Sequence, residues 1–210
     1  MFRALLLDLD DTLFDRGAAF RAWAQAAARA QLGRSLEPAE LATLVALDGR
    51  GHRPRADFAA DAGRQLGLAI DPESCGVVLA EHVVPEPGVR ELLVTLGATH
   101  HLAIVTNGSG ASQRTKLARL GLDTAVHAVF VSGELGIAKP ASGIFERALR
   151  WTEHAARDVL FVGDEPVIDL APAAALGMAT AWRARTAWPS ELAPPTYRLA
   201  AIGELAGVCA

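Results

Sequence analysis

Short apolar runs recur along the chain, and most of them end abruptly in polar residues. The first run covers residues 4–7 and stops at Asp8. Continuous apolar runs of this length are typical of strands that are buried on both faces of a parallel sheet. Similar runs lie at residues 102–106, 128–132 and 159–163, with a weaker one at 179–182. These runs predict the strands of one parallel sheet.

Helical patterns separate the strand-like runs. They cover residues 89–96, 111–120, 142–151 and 169–176. Gly97, Gly121 and Gly177 directly follow three of these segments, and glycine just past the last turn is a common signal for a helix C-terminus. The alternation of strand and helix predicts an α/β fold with a doubly wound parallel sheet.

The segment 15–84 breaks this alternation. Phe20, Trp23 and Ala27 recur at spacings of three and four, which indicates an amphipathic helix over about residues 14–30. Further helices are predicted at 38–47 and 55–66, and another from Asp71, where Pro72 suits a first helical turn. We therefore expect a helical domain at 15–84, inserted into an α/β core of 1–14 and 85–210.

Composition narrows the class of protein. The chain has 210 residues, 51% of them hydrophobic and 21% charged, which favours a folded globular protein. The net charge of −4 and the absence of a basic run give no reason to expect a nucleic-acid partner. Cys75 and Cys209 are too few and too far apart for a disulfide framework. No apolar stretch is long enough for an export signal or a membrane span, so we expect a cytoplasmic protein.

Polar side chains follow four of the predicted strands. In an open parallel sheet, ligands bind beyond the carboxyl ends of the strands. We expect the residues at these ends to share one edge of the sheet: Asp8 and Asp10 after the first strand, Thr106 and Asn107 after the second, Lys139 beyond the third, and Asp164 with Asp169 after the fourth.

The aspartates suggest a metal site. Asp8 and Asp10 lie two positions apart, so on an extended strand their side chains leave the same face. Two carboxylates at so short a distance repel each other, and a divalent cation relieves the repulsion. Hard oxygen ligands favour magnesium. Asp164 is the candidate for completing the ligand set, with Asp169 behind it.

The remaining groups suit a phosphoryl group. The 20 basic residues include only two lysines, Lys116 and Lys139. Lys139 offers a compact positive charge, whereas Lys116 falls on a predicted helix and receives no role. The Thr106 hydroxyl and the main-chain N–H groups around Asn107 are suitable donors for phosphoryl oxygens. The set favours phosphoryl transfer through an aspartyl-phosphate over direct attack by a metal-bound hydroxide.

Four motifs in this order resemble the haloacid dehalogenase superfamily of hydrolases. They are the stretch Asp-Leu-Asp-Asp-Thr-Leu at 8–13, Thr-Asn-Gly at 106–108, Lys-Pro at 139–140, and Gly-Asp at 163–164 followed by Asp169. The resemblance spans the whole core. It implies a Rossmann-like, doubly wound parallel sheet with an inserted α-helical cap, and the 15–84 segment stands where the family carries its small helical cap.

The resemblance also implies roles for these residues. Asp8 would attack phosphorus, and Asp10 would protonate the leaving alcohol and later deprotonate the attacking water. Magnesium would be held by the Asp8 carboxylate, the Asp10 main-chain carbonyl and Asp164, with Asp169 positioning metal-bound waters or Lys139. The basic loop 48–55 resembles the family's substrate-specificity loop in its position, so Arg50 is a candidate contact for an anionic substrate, although a solvated turn explains the loop as well.

The implied function is a Mg²⁺-dependent phosphatase that acts on a small phosphorylated metabolite as a monomer or homodimer. A 2-haloacid dehalogenase would use the same nucleophile on carbon without metal, but those enzymes carry a tyrosine-like residue where this chain has Asp10. A phosphoglucomutase-type phosphotransferase shares all four motifs. A receiver-like protein and a catalytically silent binding protein are the alternatives outside enzymology. The sequence does not identify the substrate.

Overall fold

The computed structural model describes residues 2–210. These residues form two units: the residues up to Phe14 together with Pro85–Ala210, and Asp15–Val84. Each unit has its own buried core. Among the described residues, no helix combines the length and apolar character that crossing a membrane requires.

The second unit is entirely helical. Phe20, Trp23 and Phe58 form its aromatic core, with ring centroids 5.3–6.2 Å apart. Asp15 accepts a 2.7 Å hydrogen bond from the Ala18 main-chain N–H and so caps the first helix. The helices are α1 (Arg16–Leu32), α2 (Pro38–Asp48), α3 (Arg55–Leu66) and α4 (Cys75–Ala80).

The prediction of a helix that begins at Asp71 is wrong. The Asp71 carboxylate accepts hydrogen bonds from the main-chain N–H groups of Glu73 and Ser74, at 3.1 and 3.2 Å. These bonds close a turn, and the helix α4 begins only at Cys75. An aspartate that offers its side chain to the next N–H groups stabilises a turn as readily as a helix start.

A buried ion-pair cluster connects α1, α2 and α3. Asp48, 2% exposed, accepts hydrogen bonds from Arg16 at 2.7 and 3.1 Å and from Arg55 at 2.8 Å. Burial alone would raise the pKa of Asp48, but the two guanidinium groups outweigh it and hold that pKa below its usual value. The cluster also fixes the loop that follows: Gly51 has a φ of +85° and lies so close to Arg16 that a Cβ there would be 3.0 Å from its Nη2.

The first unit is built on a six-stranded sheet. Its strand order is β3-β2-β1-β4-β5-β6 and all neighbours pair in parallel, which is the order of doubly wound α/β folds. The predicted fold class is confirmed. The strands are β1 (Ala4–Leu7), β2 (His101–Thr106), β3 (Ala128–Val131), β4 (Val159–Gly163), β5 (Ala179–Arg183) and β6 (Tyr197–Leu199).

The central strands form the core and set the position of the polar residues. All four residues of β1 are fully buried. The register pairs Leu7 with Ile104 of β2 and with Val162 of β4. Because the paired strands end at nearly the same level, the residues that follow them meet at one edge of the sheet.

Helices connect the strands of this unit. They are α5 (Val89–Gly97), α6 (Gly110–Leu120), α7 (Ser132–Leu135), α8 (Ser142–Thr152), α9 (Ala171–Ala175) and α10 (Leu205–Cys209). Of the helix predicted over 169–176, only Ala171–Ala175 is an α-helix. A π-helical turn at Pro166–Leu170 precedes α9, and this wider turn contains Asp169.

Removal of the Asp48 carboxylate tests the cluster that joins α1, α2 and α3. Asp48→Ala removes the buried carboxylate that Arg16 and Arg55 both bind, so we expect the free energy of unfolding to fall by about 3–5 kcal/mol. Urea unfolding at pH 7 measures the loss. Arg64→Ala is the control, because it removes an exposed ion pair with Asp61 in the same unit and should cost less than about 1 kcal/mol. Equal losses in the two variants would contradict the account.

Candidate active site

Asp8 lies at the centre of the carboxyl edge of the sheet. Its main-chain N–H donates to Val162 at 2.8 Å, which continues the β1–β4 pairing by one residue. Its side chain accepts two hydrogen bonds, from Lys139 Nζ to Oδ1 at 2.7 Å and from Thr12 Oγ1 to Oδ2 at 2.9 Å. With the residue only 5% exposed, this carboxyl group is fixed in direction and largely removed from water.

Lys139 joins Asp8 to Asp169. Its Nζ lies 2.7 Å from Asp8 Oδ1 and 2.7 Å from Asp169 Oδ1. Burial alone would lower the pKa of Lys139, but the two carboxylates outweigh it and raise that pKa above its usual value. Lys139 therefore stays charged at neutral pH.

The Asp8 carboxyl lacks full charge compensation. Burial raises the pKa of Asp8 to about 7, the negative charges of Asp169 and Asp10 add to the increase, and Lys139 opposes it. The positive charge of Lys139 is therefore too small to offset burial and the neighbouring negative charges at this carboxyl. A nearby divalent cation would favour the carboxylate.

Three carboxylates fit a cation site. One carboxylate oxygen from each of Asp8, Asp164 and Asp169 lies within 4.8 Å of the other two, and all three residues are buried. Asp164 is held by its main chain, since the Trp182 indole N–H donates to the Asp164 carbonyl at 3.1 Å. Both oxygens of Asp169 are engaged by the protein: Oδ1 pairs with Lys139, and Oδ2 accepts from the Glu165 main-chain N–H at 3.2 Å. Both oxygens of Asp8 are engaged in the same way, so the division into direct ligands, Asp8 and Asp164, and a supporting Asp169 stays a prediction.

Gly163 allows Asp169 to reach this position. A Cβ on residue 163 would lie 2.5–2.8 Å from three side-chain atoms of Asp169, closer than non-bonded atoms approach. The π-helical turn brings the Asp169 N–H to the Glu165 carbonyl at 2.9 Å. The side chain of Asp169 consequently folds back over the end of β4.

The side chain of Asn107 has a structural role. Its side-chain amide makes two 2.9 Å hydrogen bonds with the main chain of Lys139, donating to the carbonyl and accepting from the N–H. The side chain therefore ties the loop after β2 to the loop that carries Lys139. The predicted phosphate contact through the main-chain N–H groups around Asn107 stays a prediction.

The prediction that Asp8 and Asp10 lie on one extended strand is wrong, so the shared face derived from it does not follow. The strand β1 ends at Leu7, and Asp10 instead makes an isolated bridge with Phe14. The two carboxylates contact different lysines. Asp8 pairs with Lys139, whereas Lys116 Nζ lies 2.6 and 2.9 Å from the two oxygens of Asp10.

Lys116 and Gln113 are the site residues that sequence reasoning missed. Gln113, fully buried, donates to Asp10 Oδ2 at 2.9 Å and contacts Thr106 Oγ1 at 2.5 Å. Ser109 caps α6 by accepting from the Ser112 N–H at 3.2 Å, which sets the rotation of the helix. The signal in the sequence was two polar residues three apart on the same helix face as the buried Leu117 and Leu120.

Arg50, the candidate specificity residue, lies in the helical unit. It occupies a left-handed backbone conformation with φ +55°, between Gly49 and Gly51. Its neighbours in the basic loop are engaged within that unit, Arg53 with Asp61 and Arg55 with Asp48. A contact between Arg50 and substrate stays a prediction.

One family model matches most of the length of the chain. The model of haloacid dehalogenase-like hydrolases covers residues 5–183, which includes every strand of the site described above. The chain belongs to this family. The recognised resemblance is thereby confirmed, and the hydrolase fold follows from it.

The curated relatives include phosphatases. The chain is 31% identical to a glyceraldehyde 3-phosphate phosphatase of Pyrococcus abyssi over 196 residues, which cover 87% of this chain and 81% of that protein. It is 34% identical to the pyrimidine 5'-nucleotidase YjjG of Escherichia coli over 129 residues, which cover 60% of this chain but only 57% of the nucleotidase. The substrates in these names differ, so the family assignment does not carry a substrate with it.

Solved structures of a HAD-hydrolase and of a dehalogenase share the fold. The magnesium-bound HAD-hydrolase YfnB of Bacillus subtilis is 25% identical, with a TM-score of 0.83 over 99% of this chain and 98% of that one. The 2-haloacid dehalogenase of Pseudomonas syringae is 27% identical, with a TM-score of 0.66 over 99% of this chain and 98% of its own. The chemistry must therefore be argued from the site residues.

The close approach of Gly163 to Asp169 can be tested directly. We expect Gly163→Ala to displace Asp169, to weaken the position of Lys139 and to lower stability by about 1–3 kcal/mol through overpacking. Chemical unfolding and a crystal structure of the variant would measure these changes. Gly207→Ala is the matched control, because a Cβ there meets no atom within 4 Å. A Gly163→Ala variant as stable as wild type, with Asp169 in place, would contradict this reading.

Proposed function

We propose that this hydrolase is a Mg²⁺-dependent phosphatase that cleaves a small phosphate monoester through an aspartyl-phosphate on Asp8. The observation that carries the proposal is the arrangement of the two carboxyl groups. Asp8 is buried and oriented by Lys139 and Thr12, while Asp10 stands two residues away in a separate hydrogen-bonding environment. One carboxylate is placed for attack and the other for proton transfer.

The reaction has two steps. In the first, an Asp8 oxygen forms a bond to phosphorus while the bond from phosphorus to the ester oxygen breaks, and the Asp10 carboxylic acid gives its proton to the leaving alcohol. In the second, the Asp10 carboxylate takes a proton from water as the water oxygen bonds to phosphorus. The bond between Asp8 and phosphorus then breaks, which restores both aspartates and releases inorganic phosphate.

The donor set suits magnesium. The three carboxylates of Asp8, Asp164 and Asp169 are accompanied by the ammonium group of Lys139, which leaves two negative charges for a divalent ion to balance. The Asp8 and Asp164 carboxylates and the Asp10 main-chain carbonyl would hold the ion. When bound, Mg²⁺ would offset the charge on the phosphoryl oxygens. Lys139 would contribute a second positive charge beside the same group.

Asp10 favours phosphate esters over haloacids. A leaving alkoxide needs a proton, which a carboxylic acid at position 10 can supply, whereas a leaving halide needs none. Asp10 therefore distinguishes the proposed phosphatase from the dehalogenases that share the fold of this chain. We expect the substrate to be a small phosphorylated metabolite and the protein to be a cytoplasmic monomer or homodimer.

Phosphate release from a broad panel of monoesters tests the proposal. We expect turnover with MgCl₂, loss with EDTA, and a fall of at least about 10³-fold in kcat for Asp8→Asn, because the amide is a poor nucleophile. Asp123→Asn, at an exposed position, is the control and should keep wild-type activity. Metal-independent turnover of a haloacid, or full activity of Asp8→Asn, would overturn the proposal.

Magnesium binding can be tested without activity. At a concentration about 100-fold above its Kd, Mg²⁺ adds about 2.7 kcal/mol to the free energy of unfolding, which corresponds to a rise in Tm of about 5–10 °C for a chain of this size. We expect this rise in wild type and a much smaller one in Asp164→Asn, with NaCl at equal ionic strength as the control. Equal shifts in both proteins would contradict the ligand role of Asp164.

A further inference from the structure

The helix α6 brings two buried polar side chains to Asp10. Lys116 is 5% exposed and Gln113 is fully buried, although both belong to residue types that normally face water. Together they contact both oxygens of the Asp10 carboxylate at 2.6–2.9 Å. The nucleophile Asp8 does not contact either of them in the hydrogen bonds and ion pairs described for it.

Burying a lysine ammonium is costly unless an anion compensates. The anion that Lys116 meets is Asp10, and its Nζ also lies 6.0 Å from the centre of the Phe14 ring. Phe14 is itself joined to Asp10 by the isolated bridge. The lysine is therefore enclosed by the segment that carries Asp10 and holds that segment against α6.

Gln113 connects Asp10 to a second part of the site. Its amide nitrogen contacts both Asp10 Oδ2 and Thr106 Oγ1, so the loop after β1 and the end of β2 share one donor. Lys116 contacts Oδ1, and Lys116 and Gln113 both contact Oδ2. These contacts fix the plane of the Asp10 carboxyl group. Proton transfer requires such fixing, because the acid has to lie within hydrogen-bond reach of the leaving oxygen.

We propose that Lys116 and Gln113 are positioning residues that orient the Asp10 carboxyl group for proton transfer to the leaving alcohol. The proposal rests on the phosphatase function proposed above and extends it to residues outside the four motifs. Neither residue touches the reacting atoms in this account, since both act through Asp10. This role gives a function to Lys116, the lysine to which the sequence pattern assigned none.

Leaving-group dependence separates this role from a merely structural one. An alkyl phosphate releases a strongly basic alkoxide and needs the proton from Asp10, whereas 4-nitrophenyl phosphate releases a weakly basic phenolate and needs it little. A misplaced Asp10 should therefore lower kcat/KM for an alkyl phosphate by about 10²-fold. The same variant should lower kcat/KM for 4-nitrophenyl phosphate far less, because this quantity reports the steps up to release of the phenolate and does not include the later attack of water.

The experiment compares these two esters in Lys116→Met and Gln113→Leu, each saturated with Mg²⁺. Lys116→Met keeps the apolar length of the side chain, and Gln113→Leu provides an independent variant should the first not fold. Arg119→Met removes an exposed positive charge from the same helix and should leave both rates unchanged. A selective loss on the alkyl phosphate supports the proposal, and an equal loss on both esters, or no loss, overturns it.

A double-mutant cycle adds a second criterion. If Lys116 acts through Asp10, Lys116→Met should lower kcat/KM no further in an Asp10→Ala background. Additive losses would overturn the inference while leaving the phosphatase function intact, because that function is judged by wild type and Asp8→Asn. Inactivity of wild type on every phosphate ester would instead remove the function and the inference together.

Discussion

The site depends on one buried lysine held between two buried aspartates. Lys139 lies 2.7 Å from an oxygen of Asp8 and 2.7 Å from an oxygen of Asp169, and all three side chains are almost inaccessible to water. In such surroundings each charge is tolerated only because the others are present. The cluster fixes the direction of Asp8 and leaves it in need of further positive charge, which a divalent ion can supply.

The backbone is shaped around this cluster. The three central strands end at one level, so their following residues converge, and Gly163 leaves the space into which Asp169 folds. Asn107 ties the second strand end to the main chain of Lys139 through two hydrogen bonds. A second lysine, Lys116, forms an ion pair with Asp10. The two carboxyl groups that the proposed reaction needs are thus kept in separate environments, as their different roles as nucleophile and acid require.

Much of this could be predicted from the sequence, and the failures have physical causes. Apolar runs and glycine stops located β1 to β5 and the helices between them, but β6 is only three residues long and carries too little pattern. The four motifs identified Asp8, Lys139, Asp164 and Asp169 because strand ends converge in any parallel sheet. Side-chain direction beyond a strand end is set by tertiary contacts, so the different lysine partners of Asp8 and Asp10 and the structural use of the Asn107 side chain did not follow from spacing. Lys116 was missed because a lysine on a helix is normally solvated.

The most direct measurement is whether phosphate becomes covalently attached to Asp8 during turnover. The protein, with Mg²⁺ bound, would be mixed with 4-nitrophenyl phosphate, quenched in acid within milliseconds and reduced with borohydride, which converts an acyl phosphate on aspartate to homoserine. The account predicts homoserine at position 8 in the N-terminal peptide, formed only when substrate is present. Rapid turnover with an unmodified Asp8, or with modification at another aspartate, would contradict it.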